Sequence, residues 1–418
     1  MFRRIVQTLG STIGIFCISF LTSVLTARYL GADGRGILAS WLLIATVSAG
    51  LSQCGFHQSS IYFSRKLSKN KALPFFNFSL FIVVTLTAIT GAVIHTFIEL
   101  SAVILPLICF SVVYSLFFFL SNILQIEKDL KKFNIVKLVY PLVILIGVLL
   151  AVFSENINLQ VALFSYGFSA SLCAFVMLVY FIKRYKWTTP TLTLKRYCAF
   201  SAKYHGTAAL GILVNNIDKL LLISLIPAAM FGNYSVAFAT SRVIGTGINA
   251  ISTVLFSQFA GEASEKVDPF TRSFRLAFPI FLLPTAALSL SAFFWVPLVF
   301  GEDFQPAALL FSILVFEAFL SGMGWILAQR FNSEGKPGIV LLRQIISVLP
   351  IGLIFFVPSG YDIAITMAYL MLISAIVRLI LTAWLYRLSF SEVDIIPRSS
   401  EFKELLSHLN SKVKNVVR

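Results

Sequence analysis

Residues 131–155 read KKFNIVKLVYPLVILIGVLLAVFSE. Two lysines open the stretch and a serine and a glutamate close it. The run between them, 136–153, carries one charge, Lys137. A bilayer asks for about 20 mostly apolar residues per crossing helix, so this is a membrane span with a basic and an acidic end. The same grammar runs along all 418 residues. Spans are predicted near 6–27, 37–61, 75–96, 102–124, 136–153, 160–182, 206–226, 233–257, 276–299, 307–328, 339–357 and 364–386. Hydrophobic residues make up 58% of the chain, charged residues 12%, and the mean hydropathy is +0.89. The expected fold class is an all-α polytopic membrane protein of about 12 transmembrane helices.

Orientation follows from the lysines and arginines, which concentrate in cytoplasmic loops. With the N-terminus inside, one side holds Arg3 and Arg4, then Arg65, Lys66, Lys69 and Lys71, then Lys128, Lys131 and Lys132. Lys183, Arg184, Lys186, Lys195, Arg196 and Lys203 follow, then Lys266, Arg272 and Arg275, Arg330 and Lys336, and six more from Arg387 to Arg418. The outer side holds only Arg28 and Arg35. That is 26 of the 33 basic residues against 2, so both termini are expected in the cytoplasm. The net charge of +15 then reflects topology and anionic inner-leaflet lipid rather than nucleic acid.

The first span is too long, and its flank too poor in small residues, for a cleaved signal peptide. Cys17, Cys54, Cys109, Cys173 and Cys198 are scattered and show neither metal-ligand nor disulfide spacing. No metal and no cofactor is expected. A Gly-rich loop ending in Gly-Lys-Ser/Thr is missing, and His57, His95, His205 and His408 stand apart from one another and from carboxylates. With no catalytic cluster, the chain reads as a transporter rather than an enzyme.

The polar segment 183–203 divides the spans six and six, giving expected units of 1–182 and 204–387 and a tail, 388–418. An internal echo supports a repeat. Tyr29-Leu30-Gly31-Ala32-Asp33-Gly34-Arg35-Gly36 matches Leu225-Ile226-Pro227-Ala228-Ala229-Met230-Phe231-Gly232 in pattern, with Gly36 and Gly232 196 residues apart. A weaker echo sets Lys131-Lys132-Phe133-Asn134 beside Gly335-Lys336-Pro337-Gly338. Both halves start inside with an even number of spans, so the repeat is parallel, a design found in transporters. In the tail, Phe402, Leu405, Leu406, Leu409 and Val413 recur at helical spacing between lysines, which predicts an amphipathic helix on the inner surface.

Seven ionisable residues fall inside spans: Lys137, Asp218, Lys219, Arg242, Glu317, Arg343 and Arg378. Each costs about 2.5–3.5 kcal/mol at the bilayer centre, so they are expected to face the bundle interior or a wet cavity. Asn215, Asn216, Asp218 and Lys219 form the densest polar group. Asn215 and Asp218, three apart, would share a helix face, while Asp218 and Lys219 point about 100° apart and need not pair. A buried ion pair holding spans together is the competing reading. Arginine suits a diphosphate because its planar fork binds phosphate oxygens bidentately and stays charged when buried. Arg242, Arg343 and Arg378, with Lys137 and Lys219, are therefore candidates for a cationic site, against snorkelling for Arg343 and Arg378. Glu317, with no basic residue in its own span, reads as a lone carboxylate suited to proton binding, or as a neutral group hydrogen-bonded to a neighbour. His57, beside Gln58, Ser59 and Ser60, is either an interhelical hydrogen-bonding residue or part of a sugar-facing patch.

Several stretches resemble the Wzx-type flippases of polysaccharide repeat units, in the multidrug/oligosaccharidyl-lipid/polysaccharide exporter superfamily. They are Thr26-Ala27-Arg28-Tyr29-Leu30-Gly31 running into Arg35-Gly36-Ile37, Asn215 to Ile223, Gly301-Glu302-Asp303-Phe304, and Gln329 to Gly338. The resemblance covers nearly the whole chain as a pattern. It implies two six-helix lobes in a V that alternates between inward-open and outward-open states. The implied substrate is an undecaprenyl-diphosphate-linked oligosaccharide, such as an O-antigen unit, moved to the periplasmic leaflet of a bacterial inner membrane. Implied partners are that glycan, membrane lipid, and a polysaccharide polymerase with its chain-length regulator. Capsule or other surface-polysaccharide units and, more distantly, drugs are alternative cargoes. Coupling to protons or sodium is open.

Overall fold

The structure is a computed structural model that describes residues 2–67, 73–98, 104–127, 131–185, 192–259, 269–358 and 360–390. Lys69, Lys71, Lys128, Lys186, Lys266 and the expected amphipathic tail helix lie outside the described residues. Within them the chain is helical: α1 (Phe2–Ser52), α2 (Phe56–Leu67), α3 (Phe76–Ile98), α4 (Ile104–Ile123), α5 (Lys131–Phe153), α6 (Leu159–Arg184), α7 (Leu194–Val214), α8 (Ile217–Leu225), α9 (Ala228–Phe259), α10 (Pro269–Phe300), α11 (Gln305–Ser333), α12 (Pro337–Val348) and α13 (Ile363–Ser389). Nine helices among the described residues are long and apolar enough to cross a membrane, or ten if α7 and α8 form one broken span. One of the nine, Thr12–Ser52, has 41 residues. It is two helices joined across a kink at Gly31, and covers most of the first two expected spans. The eighth expected span lies within α9, which is not among the nine.

Contacts divide the chain into two packing units. One holds residues through Val236 together with Leu298–Phe304; the other holds Ala237–Pro297 and residues from Gln305 on. The first unit reaches beyond the 183–203 segment, because α7 packs on α1 and α2, and α8 on α1 and α3.

Spans 1 and 2 were expected to be separated by a loop carrying Arg28 and Arg35. Instead of a loop there is a one-residue break between two abutting helices, both within the range of α1: Gly31 sits at φ 67 and ψ −178. That region is open to glycine and costs other residues about 1–3 kcal/mol. Just before it, Arg28 donates Nε–H to the carbonyl oxygen of Val299 at 2.7 Å and a second N–H to that of Leu298. The last carbonyls of a helix have no partner within it, so Arg28 is a side-chain cap on α10. Just after Gly31, Arg35 is 7% exposed. The expectation of a loop is therefore corrected: Arg28 is exposed but held by carbonyls, and Arg35 is buried.

A few residues on, the two halves of the echo meet. A Cβ on Gly36 would lie 1.8 Å from the carbonyl oxygen of Ala228, and a Cβ on Gly232 would lie 2.0 Å from that of Ala32. The two contacts exchange when 196 is added to or taken from each number. Backbones approach this closely only where both helices present glycine, as small residues allow in membrane helices.

Span 2 is also interrupted. The helix stops at Ser52 and restarts as α2 at Phe56, which seats α2 on α7. There the Tyr197 hydroxyl lies 2.8 Å from the hydroxyls of both Ser60 and Ser79, and Ser59 meets Ser201 at 2.6 Å. A second set of hydroxyls, Ser52 to Thr87 at 2.6 Å and Thr87 to Ser115 at 2.9 Å, ties α1, α3 and α4 together. With little hydrophobic drive between helices in lipid, such bonds and tight packing carry association. In the second unit α11 is the central helix, packed along α13. After α12 the chain tightens into a 3-10 segment, Leu349–Phe356.

At the end of α4, Glu127 accepts hydrogen bonds from Tyr180 and, at 3.2 Å, from Tyr185, and pairs with Arg184 at 3.0 Å. Partial burial alone would raise its pKa. The Tyr180 hydrogen bond and the charges of Arg184 and Lys132 outweigh that and hold the carboxyl below its ordinary value.

A carboxylate depressed in the folded state contributes stability above its unfolded pKa, about 4.3, and loses it as the pH falls through the folded value. Glu127→Gln is therefore expected to lower the thermal midpoint of purified protein at pH 7, with the gap to the parent closing below pH 4. The Gly36→Ala and Gly232→Ala substitutions are each expected to cost about 1–3 kcal/mol or more by overpacking. Gly206→Ala, with no heavy atom within 4 Å of the added carbon, should match the parent in the same thermal assay.

Candidate functional site

In the first unit the expected group at 215–219 is assembled, but not on one continuous helix. Asn215 closes α7 and Asn216 precedes α8, and the two helices bend by 47°. Asparagine competes for backbone hydrogen bonds and favours such ends; the Asn216 side chain donates to the carbonyl of Ile212 at 2.8 Å. The shared face expected for Asn215 and Asp218 is thereby broken. Asp218 falls in the first turn of α8, where the helix dipole favours an anion, and is fully buried. Its Oδ2 accepts from the Tyr234 hydroxyl at 2.8 Å. Its Oδ1 lies 3.0 Å from Lys219 Nζ, which also donates to the Asn215 carbonyl at 3.0 Å. The expectation that Asp218 and Lys219 need not pair is corrected: the long lysine stem folds back over the helix start and reaches its neighbour.

The other two first-unit candidates stand elsewhere. His57 lies on α2 beside the Ser59–Ser201 bond, half-buried, and its Nδ1 has no hydrogen-bond partner. Lys137 stacks its ammonium 4.3 Å from the Phe133 ring centre. It lines a cavity of about 440 Å³ with residues of α1, α4, α5 and α6, among them Ser19, Tyr140 and Tyr166.

In the second unit Arg242 on α9 forms an ion pair with Glu317 on α11, whose other oxygen accepts from Ser321 at 2.8 Å. Glu317 is thus not a lone carboxylate. Reading one span at a time hides a partner supplied by another. Arg378 donates Nε–H to Ser347 Oγ at 3.1 Å and lies within electrostatic reach of Glu317 and Arg242. Arg343, 1% exposed, donates to Thr382 Oγ1 at 2.8 Å and faces the Trp325 ring at 5.5 Å, while its Nε has no partner. That burial removes snorkelling as a reading of Arg343. Arg242 and Arg378 therefore gather about one carboxylate, with Arg343 beside Arg378, an arrangement that presents donors and uncompensated positive charge to an anion.

Sequence reasoning overlooked Tyr234 and Ser321, which complete the carboxylate settings, and Arg35. The 16-residue separation of Asp218 and Tyr234 offered no signal, since it depends on α8 and α9 folding against each other. Ser321, four residues after Glu317, was available from helical spacing.

The polysaccharide biosynthesis protein family matches residues 2–260, and the chain belongs to that family. Among solved structures it is similar to the lipid II flippase MurJ in an inward closed conformation, with a TM-score of 0.71 and 13% identity over 91% of this chain and 87% of that one. It is also similar to the MATE multidrug transporter DinF-BH, with a TM-score of 0.56 and 17% identity over 93% and 95%. An outward-facing multidrug resistance MATE transporter of the MOP superfamily gives 0.63 and 15% over 93% and 95%. No curated protein sequence matches significantly. The protein is a multi-pass membrane protein with the fold of these exporters.

Removing one partner of a buried pair costs about 3–5 kcal/mol because the other is left uncompensated. Glu317→Gln, which strands Arg242 and Arg378, is expected near that range. Arg242→Gln is expected to cost less, because the Arg242 side chain is 31% exposed and solvent screens it. Tyr234→Phe should cost about 1.5–3 kcal/mol, one hydrogen bond to a charged group. Thermal unfolding in detergent ranks the three.

Proposed function

We propose that the protein is a flippase for a polyprenyl-diphosphate-linked oligosaccharide, an O-antigen repeat unit or a similar surface-polysaccharide unit. It moves this cargo from the cytoplasmic to the periplasmic leaflet of a bacterial inner membrane. The carrying observation is the second-unit cluster, three arginines to one glutamate within spans. A diphosphate cannot cross about 30 Å of hydrocarbon bare, and guanidinium forks bind its oxygens while the isoprenoid tail stays in lipid. The family and the MurJ-like fold support the same class of cargo.

In this reading lobes 1–182 and 204–387 alternate in access, both termini lie in the cytoplasm, and the emerging unit passes to a polymerase and its chain-length regulator. Lys219, Arg242, Arg343, Arg378 and Lys137 contribute positive charge, and Asn215, Asn216 and His57 contribute polar contacts. Asp218 and Glu317, the buried carboxylates among the described residues, are the groups available for coupling to protons or sodium. An inside-negative potential already favours outward movement of the anion by about 2.3 kcal/mol per charge per 100 mV.

Deletion is expected to abolish surface polymer and leave lipid-linked units on the cytoplasmic face. Normal polymer in a strain with no second flippase would overturn the reading, and altered dye sensitivity with normal polymer would point to drug export. In complementation at matched protein level, Arg242→Lys should retain part of the activity and Arg242→Ala should lose most of it, since lysine keeps the charge without the fork.

A further inference from the structure

The cavity lined by Lys137 is cationic and belongs to the first unit, not to the arginine cluster of the second on which the proposed transport rests. Its walls come from four helices of the first unit and contain no carboxylate. The polar groups that matter are Ser19 and Thr22 on α1, Ser121 on α4, Lys137 and Tyr140 on α5, and Tyr166 on α6. Among the described residues Lys137 has no ion pair; its neighbour is the Phe133 ring. An ammonium inside a span is costly unless something compensates it.

Directly behind Tyr166 stands Arg35, the arginine that was expected outside. It is 7% exposed, and its one Nη2 contact is Ser23 Oγ at 3.2 Å, while Nε and Nη1 have no partner. Tyr166 stands close enough to Arg35 to interact with its charge, without a hydrogen bond between them. A guanidinium can only donate, so Arg35 offers the phenolic proton no acceptor and leaves it to point elsewhere. Tyr166 lines the cavity, so that proton can be offered there. The cavity therefore meets its contents with an ammonium, a hydroxyl close to an arginine and further hydroxyls, with no negative group among the lining residues to balance them. Buried charge without a partner is costly, and the surplus here is of one sign.

We propose that this cavity binds a small inorganic anion, chloride or one of similar charge and size, held by Lys137 and the Tyr166 hydroxyl with Arg35 as the positioning residue behind it. At about 440 Å³ it has room for the ion with part of its hydration shell, one water occupying about 30 Å³ of liquid. None of these residues belongs to the arginine cluster of the second unit, and the site does not depend on which glycan is carried.

A ligand that binds only the folded state raises the unfolding midpoint in a concentration-dependent, saturable way. Purified protein in a neutral detergent, without lipid-linked glycan, is titrated from sodium gluconate to sodium chloride at constant ionic strength. The expected result is a midpoint that rises and saturates over the millimolar range. Lys137→Gln and Tyr166→Phe should each weaken the half-saturating concentration about tenfold, the equivalent of about 1.4 kcal/mol. Arg35→Met should abolish the response; since loss of the fold would do the same, Lys137→Gln and Tyr166→Phe are the variants that decide. Equal midpoints in chloride and gluconate, or parent-like titration by both Lys137→Gln and Tyr166→Phe, overturn the proposal. A rise produced only by added anionic phospholipid, and not by chloride, overturns it as well and assigns the cavity to a lipid phosphate.

Discussion

The first packing unit hangs on a contact between two backbones. Gly36 approaches the carbonyl of Ala228, Gly232 that of Ala32, and neither place has room for a carbon atom. Because the contacts exchange under a shift of 196 residues, they behave as an isologous contact inside one chain, each half offering the same patch to the other. Much else is arranged around that point. The Gly31 turn shortly before it sets the direction of the helix that carries Gly36. Arg28 and Asp303 lie at the same end, with Asp303 Oδ2 3.3 Å from where a Gly31 Cβ would be. Just N-terminal to Gly232 begins α9, the helix that carries Tyr234 to Asp218 and, further on, Arg242 to Glu317.

The buried charges follow one rule: each carboxylate is satisfied, and the cations are in surplus. Asp218 has a tyrosine and a lysine; Glu317 has an arginine and a serine. Arg343 and Arg378 are left to serine and threonine hydroxyls and carbonyl oxygens. Neutral acceptors relieve the hydrogen-bonding demand of a guanidinium without cancelling its charge. On the proposed function such a surplus suits an anionic passenger, and among the described residues no buried carboxylate stands uncompensated.

What the sequence made legible was whatever depends on composition along the chain. Apolar runs predict helices, basic and acidic flanks order them, and the Tyr29–Gly36 echo marks the repeat that Gly36 and Gly232 realise. What it hid was set by partners distant in sequence. Arg35 looked like a loop cation because Gly34, Gly36 and Asp33 around it look like a loop; only the packing of α1 on α6 reveals it as buried. Glu317 looked solitary because its arginine lies 75 positions away. The break at Asn215-Asn216 was legible in principle, since two successive asparagines favour helix ends, but the apolar residues on either side suggested one continuous span.

The Arg28 clasp has a consequence for how the molecule is made. The carbonyls it holds, on Leu298 and Val299, come 270 and 271 residues later in the chain. The ribosome must therefore synthesise every helix through α10, and the insertion machinery must place them, before the corner at Gly31 can close. Until then Arg28 is a bare cation, with water as its ready acceptor. The first hairpin to enter the bilayer is thus one of the last parts of its unit to be completed, and a nascent chain that stalls before residue 298 carries an unfinished corner from its earliest span.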